Sequence, residues 1–404
     1  MAERRPRILF IAEAVTLAHV ARPYVLARGL DPARYEVFFA TDPRYARLFN
    51  LDGLQAWPQR SIPSEQFLAA LAAGRPLYER ATLRGYVQDD LALLRELAPD
   101  LVVGDFRLSL AVSAPLAGVP YATISNAYWS PYSQPRYIVP ELPFVSYVGA
   151  AVAQALFNAA RPLAFARHCG PLNGLRREHG LPGLGHDLRT VYTHADHTCY
   201  ADLPELVPTE GLPAHHHYLG PIIWSPAVPV PAWWSRLPEG RPVIYVTMGS
   251  SGESALLPVI LAALADVPVT VMVATGARGA ALAMAANVYV ADYLPGAEAA
   301  ARAALVICNG GSPTAYQALA AGVPVLGLPS NLDQYLNMDY LARSGAGLWL
   351  RAGQATAESV RGAARRLLYE PAFRQAAQRL QSAITDYQPA ARFAALVEQW
   401  VKRI

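Results

Sequence analysis

Short apolar runs alternate with helix-patterned stretches along the whole chain, once on each side of a proline-rich joint. In the first half, residues 8–11, 35–40, 101–103 and 121–125 read as strands, with helical patterns at 19–30 and 88–97. In the second half, strands at 243–248, 269–274, 288–290, 305–308 and 325–328 alternate with helices at 256–264, 313–321 and 357–369. Strands that alternate with helices are joined by crossovers, so each half predicts a parallel sheet covered on both faces. The expected fold is α/β, with two Rossmann-like parallel-sheet domains facing a cleft.

The joint is residues 221–242, "PIIWSPAVPVPAWWSRLPEGRP", with six prolines and with Trp224, Trp233 and Trp234 to anchor it. Proline favours an extended, semi-rigid connector. The expected organisation is a first domain over 1–220, the linker 221–242, a second domain over 243–388 and a final helical segment over 389–404. The three cysteines, Cys169, Cys199 and Cys308, are too few for a disulfide scaffold and are not spaced for metal, which suits a reducing compartment. A formal charge of +3 without a basic run argues against a nucleic-acid footprint, so any anion site must be local.

Two stretches raise the question of membrane contact. Arg4, Arg5 and Arg7 precede an apolar run, but Glu13 interrupts it, and "RILFIAE" reads as a buried first strand rather than a signal peptide. Residues 142–160 carry no charge but contain Pro143, Gly149, Gln154 and Asn158, so they predict a helix packed in the domain, or one dipping into lipid, rather than a span. The expected location is cytoplasmic, with peripheral contact on the inner face of the membrane through 142–160 as one reading.

Chemistry concentrates in residues 308–337, "CNGGSPTAYQALAAGVPVLGLPSNLDQYLN". Asn309, Gly310 and Gly311 end a strand without bulk, so backbone N–H groups can approach a ligand closely. Ser312 is suited to cap the following helix and Pro313 to open it. Free N–H groups and the positive end of the helix dipole then converge on the glycine loop, a phosphate site to which Thr314 adds a hydroxyl. A second loop, "TMGSSGE" at 247–253, follows the strand "VIYV" and offers Gly249, Ser250 and Ser251 to a phosphate. His215, His216 and His217 are adjacent in sequence and cannot converge on one ion from regular backbone, so the expectation there is a surface loop and no metal.

Together with Tyr293 upstream, Gly322–Val323–Pro324, and Asp333, Gln334 and Asn337 downstream, this segment resembles the donor-binding signature of family 1 nucleotide-sugar glycosyltransferases, which have the glycosyltransferase B fold. The resemblance implies a UDP- or dTDP-sugar as co-substrate and no cofactor or metal. It gives Tyr293 a place under the nucleobase and the Leu294 backbone one at its edge. Asn309, Gly310, Gly311, Ser312 and Thr314 fall around the diphosphate, Gln317 at the ribose, and Asp333 and Gln334 at the sugar hydroxyls. Asn309 stands where the family has histidine and Gln317 where it has glutamate; both are neutral, so donor binding is expected to be weaker.

In the first half, the same resemblance implies that His19 is the base that deprotonates the acceptor and that Asp105 orients it, as histidine's near-neutral titration suits such a role. Tyr128, Trp129, Tyr132, Tyr137, Phe144 and Tyr147 form an aromatic-dense stretch suited to an apolar acceptor pocket. The function implied is inverting, metal-independent transfer of a hexose to a hydroxyl of a lipid, terpenoid or polyketide. A non-catalytic nucleotide-sugar or lipid binder of the same fold and a sugar-nucleotide 2-epimerase stand as alternatives.

Overall fold

A computed structural model describes residues 4–277 and 285–402. The chain divides into two compact units: Met1–Gln134, Ala155–Ile222 and Tyr387–Ile404 form the first, and Pro135–Gln154 and Ile223–Asp386 the second. Sequence pattern placed 1–220 in one domain, whereas the structure groups 135–154 with the second unit. Ion pairs and hydrogen bonds explain this. The Glu141 carboxylate accepts from Arg351 at 2.8 Å and from the Tyr335 hydroxyl at 2.6 Å, and its backbone N–H donates to the Ser330 carbonyl at 2.8 Å.

The first unit is built on seven parallel strands: β1 (Arg7–Ala12), β2 (Glu36–Thr41), β3 (Gln55–Pro58), β4 (Leu101–Asp105), β5 (Tyr121–Ser125), β6 (His197–Tyr200) and β7 (His216–Tyr218). Their order in the sheet is 3-2-1-4-5-6-7, so the winding reverses between β1 and β4, where open α/β sheets bind ligands beyond the strand ends. Alternation along β1 sends Ile8, Phe10 and Ala12 into one apolar layer and Leu9 and Ile11 into the other. The first layer also contains Phe393, Val397 and Trp400 of the last helix, Pro389–Val401, which packs against the helix Ala18–Arg28. Residues 403 and 404 of the expected C-terminal segment lie outside the described residues.

The second unit is built on β8 (Val243–Thr247), β9 (Thr270–Ala274), β10 (Val288–Ala291), β11 (Leu305–Cys308), β12 (Val325–Gly327) and β13 (Gly347–Trp349). Their order is β10-β9-β8-β11-β12-β13, again with reversal beside the first strand. The proline-rich segment lies along this unit: Trp233 Nε1 donates to the Val290 carbonyl at 3.1 Å, and the Arg302 guanidinium sits 4.4 Å from the Trp234 ring centroid.

Two expectations need correction. His216 and His217 belong to the edge strand β7, not to a surface loop, because their rings pack against other side chains: His217 lies 5.7 Å from the Trp400 ring and His216 Nδ1 lies 2.7 Å from the Tyr200 hydroxyl. The helix at the glycine loop starts at Ser312, with Gly311 as its extended N-cap, one residue earlier than capping preference suggested. Residues 150–178 form one helix, Ala150–Glu178; among the described residues no helix is long and apolar enough to cross a membrane.

Candidate active-site residues

In the first unit, the reversal point of the sheet places Asp105 at the end of β4 beside the helix that follows β1. His19 is the second residue of that helix, and its Nδ1 lies 2.8 Å from Asp105 Oδ1. Asp105 is fully buried, while the His19 side chain keeps 18% of its surface exposed. An ionised carboxylate can only accept, so this contact calls for the proton on Nδ1. That is the tautomer a base needs. The sequence pairing of these residues thus corresponds to a hydrogen bond across 86 positions.

Sequence reading missed what surrounds the pair. Phe106 stacks on the His19 ring with centroids 4.8 Å apart, and its φ of +58° lies in the left-handed region that bulky side chains avoid. Such a conformation costs on the order of 1–3 kcal/mol and persists only where neighbours impose it. The next residue imposes it here. Arg107 is buried, reaches Glu13 at 2.8 Å and Asp90 at 2.9 Å, and lies over the Tyr86 ring at 3.7 Å. Asp90 also accepts from the Ser109 and Ser113 hydroxyls. Burial pushes the Glu13 carboxyl above its ordinary range against the pull of Arg107; burial also opposes the Arg107 charge, but Asp90 and Glu13 carry its pKa upward.

Tyr192 meets the Phe106 ring edge-on at 5.2 Å and the Trp129 ring at 5.0 Å, and Phe67 meets Phe106 at 6.0 Å. An aromatic wall therefore extends from His19. Of the six aromatics singled out in sequence, Tyr128 is buried in the first unit, Trp129 is in this wall, and Tyr132 packs edge-on against His216 at 5.4 Å. Tyr137, Phe144 and Tyr147 lie on the segment grouped with the second unit, and Tyr147 is 87% exposed. Phe67, Phe106 and Tyr192 are dispersed in the sequence, and only the fold of the first unit collects them.

In the second unit, the glycine loop after β11 and the loop after β8 are tied to each other by Asn309. Its Nδ2 donates to Ser251 Oγ at 3.2 Å, and its Oδ1 accepts from the Gly311 N–H at 3.2 Å. The loops approach this closely because Gly252 has no side chain: a Cβ there would lie 2.6 Å from Asn309 Cβ. Gly310 takes φ +82°, and its carbonyl accepts from Asn337 Nδ2 at 2.8 Å. Ser312 is buried and Thr314 half-buried in the first turn of the helix Ser312–Ala320. Gly249 N–H donates to Thr247 Oγ1 at 3.3 Å, and Ser250 is exposed.

Two expected ligand contacts have local partners. Gln317 Nε2 donates to the Trp224 carbonyl at 2.7 Å, which fastens the proline-rich segment. Gln334 is 1% exposed; its Oε1 accepts from the Ser330 N–H at 2.9 Å in the cap of the helix Leu332–Arg343. Asp333 stands half-buried in the first turn of that helix, Tyr293 is half-buried after β10, and Leu294 is buried. Among the described residues there is no cluster of three or more metal-ligating side chains.

Residues 258–398 match the erythromycin biosynthesis protein CIII-like C-terminal domain family. The chain is 56% identical over 380 residues to a PGL/p-HBAD biosynthesis glycosyltransferase of Mycobacterium tuberculosis (strain H37Ra), covering 94% of this chain and 89% of that one. It is 53% identical to a PGL/p-HBAD biosynthesis rhamnosyltransferase of Mycobacterium bovis (strain BCG), covering 95% of this chain and 85% of that one. The solved structure of spinosyn rhamnosyltransferase SpnG complexed with thymidine diphosphate matches with a TM-score of 0.70 at 23% identity, over 97% of this chain and 100% of that one. The two parallel-sheet units have the glycosyltransferase B fold, and the chain is an enzyme of the same glycosyltransferase family as its mycobacterial relatives.

Proposed function

We propose that this glycosyltransferase moves a hexose from a UDP- or dTDP-sugar to a hydroxyl of a hydrophobic acceptor, with inversion and without a metal ion. The single observation that carries the reading is the 2.8 Å His19–Asp105 hydrogen bond at the reversal point of the first sheet. His19 Nε2 takes the acceptor proton while the acceptor oxygen attacks the anomeric carbon. The bond from that carbon to the diphosphate oxygen breaks, and the electron pair leaves with the nucleoside diphosphate. Asp105 stabilises the imidazolium that results.

The leaving charge falls to Ser250, Ser251, Thr314, the remaining N–H of the Asn309 amide, and the positive end of the helix Ser312–Ala320. Fixed donors of this kind do the work of a screening cation. Tyr293 and Leu294 hold the base, and Asp333 the sugar. Gln317 and Gln334, whose amides have partners within the second unit, shape the site through the segments they fasten. A nucleotide donor is supported by the thymidine diphosphate complex of SpnG, and a lipid-type acceptor by the names of the mycobacterial relatives. The aromatic wall beside His19 suits the apolar part of such an acceptor. The exposed Tyr147, Val152, Leu156 and Leu163 support peripheral contact with the inner face of a membrane, from which a lipid acceptor would be taken.

Thermal melts with UDP, dTDP, GDP and ADP test the donor assignment. A ligand present at 100 times its Kd stabilises by about 2.7 kcal/mol. UDP or dTDP raises the melting temperature selectively on this account. A folded protein whose melt is unmoved by all four contradicts it.

A further inference from the structure

We infer that Arg22 is a positioning residue for the His19–Asp105 pair: its guanidinium fork fixes the plane of the Asp105 carboxylate and balances the charge facing His19. The inference rests on reading His19 as the base.

Arg22 lies three residues after His19 on the same helix, which places both side chains on one face. Its Nε donates to Asp105 Oδ2 at 2.8 Å and its Nη2 to Asp105 Oδ1 at 2.7 Å. Two parallel bonds from a planar group define a plane, which one ammonium cannot do. Asp105 Oδ1 is thereby turned toward His19 Nδ1 instead of rotating about its own Cβ–Cγ bond. Arg22 is held in turn: Nη1 donates to Asn126 Oδ1 at 2.7 Å, and Asn126 Nδ2 donates to both Asp202 oxygens at 3.2 and 3.1 Å. Arg22, Asp105, Asn126 and Asp202 are all at least nine-tenths buried, so the network works in low dielectric.

The charged groups around His19 and Asp105 are Arg22 from the helix and Asp202 after β6, which acts through Arg22, with the hydroxyls of Tyr121 in β5 and Tyr128 after it as further titratable groups. With His19 neutral, one guanidinium stands against two carboxylates. Arg22 Nη2 also comes to 3.2 Å of His19 Nδ1, which opposes a second proton on the ring. Without Arg22, the Asp105 carboxylate would face the imidazole with no cation beside it and with its plane unfixed. A side chain that merely filled space would leave the ring's titration and tautomer unchanged.

Nitrogen-15 NMR of the histidine imidazoles, read from pH 5 to 9 in the nucleotide-free protein with His19→Gln to identify the His19 signals, separates these cases. In Arg22→Met the pH at which the His19 ring takes its second proton rises by on the order of one unit. In Arg22→Lys the charge stays but the fork is lost, so the titration shifts less and the signals move from the single Nδ1–H form toward a mixture of tautomers. A folded Arg22→Met protein whose His19 titrates as in the unmodified chain overturns the inference. If that variant does not fold, Arg22→Lys decides: a single Nδ1–H tautomer overturns the role of the fork. The readout needs neither donor nor acceptor, so a failure of the transfer reading is told apart from a failure here.

Discussion

Arg107 is fully buried in the first unit with two carboxylates on it. Fully buried between Glu13 and Asp90, it leaves two carboxylates unpaired when truncated, and breaking buried pairs of this kind costs about 3–5 kcal/mol. Arg107→Ala should lower the denaturant midpoint of the first unit, and it should also release Phe106 from its left-handed conformation over His19. A midpoint unchanged by the substitution would show that Glu13 and Asp90 do not depend on it. None of this was legible in the sequence, where Phe106 and Arg107 follow Asp105 without any pattern to distinguish them. His19 and Asp105 were singled out together through family resemblance, and the structure joins them by a hydrogen bond. Arg22, Asn126 and Asp202 were not, since their relation to Asp105 spans β4, β5 and β6 and exists only after the sheet is assembled.

Among the elements, apolar runs marked most of the strands, but β3, β7 and β13 at the sheet edges and β6 beside β7 carry no such run. β3, β6, β7 and β13 have three or four residues each, and β7 consists of two histidines and a tyrosine. A three-residue edge strand carries no periodicity. One of its histidines, His216, and His194 before β6 nevertheless make a pH-dependent contribution to stability. Burial lowers His216 and His194, each to about 4, so between the ordinary histidine value of 6.5 and about 4 the unfolded chain binds protons that the folded chain refuses. Stability from these two groups is therefore complete above about pH 6.5 and declines as pH falls toward 4. Melting temperatures over that range should fall with acidification, and His216→Gln should flatten the slope. An equal slope in the variant would remove His216 from the account.

The glycine loops of the second unit were legible as glycine-rich turns after strands, but the roles of Asn309, Gln317 and Gln334 were only half visible. Sequence pattern assigned all three to ligand. The structure gives each an amide partner inside the unit, and a neutral amide can serve in this way because it offers both a donor and an acceptor.

At the scale of the molecule, the chain returns its last helix to the first unit, where Trp400 stacks on His197 at 4.1 Å and Phe393 lies 5.8 Å from Phe10. Truncating a buried tryptophan costs about 3–5 kcal/mol. Trp400→Ala should destabilise the first unit by that order while leaving nucleotide binding by the second unit intact, read as an unchanged melt shift with UDP or dTDP. Loss of that shift would mean that the last helix supports the donor site as well. The two-unit architecture followed from the alternation of strands and helices on either side of residues 221–242. The placement of 135–154 did not, because it depends on Glu141, Arg351 and Tyr335, which no local pattern connects.

In the proposed mechanism His19 performs the proton transfer and does not hold the donor. The most direct measurement compares His19→Ala with the unmodified enzyme in transfer from whichever of UDP- or dTDP-sugar the melts select, alongside calorimetric affinity for the same nucleoside diphosphate. With His19 as the base, kcat/KM falls by about 10²–10⁴ while nucleotide affinity changes less than about twofold. Transfer at an undiminished rate in His19→Ala would contradict it.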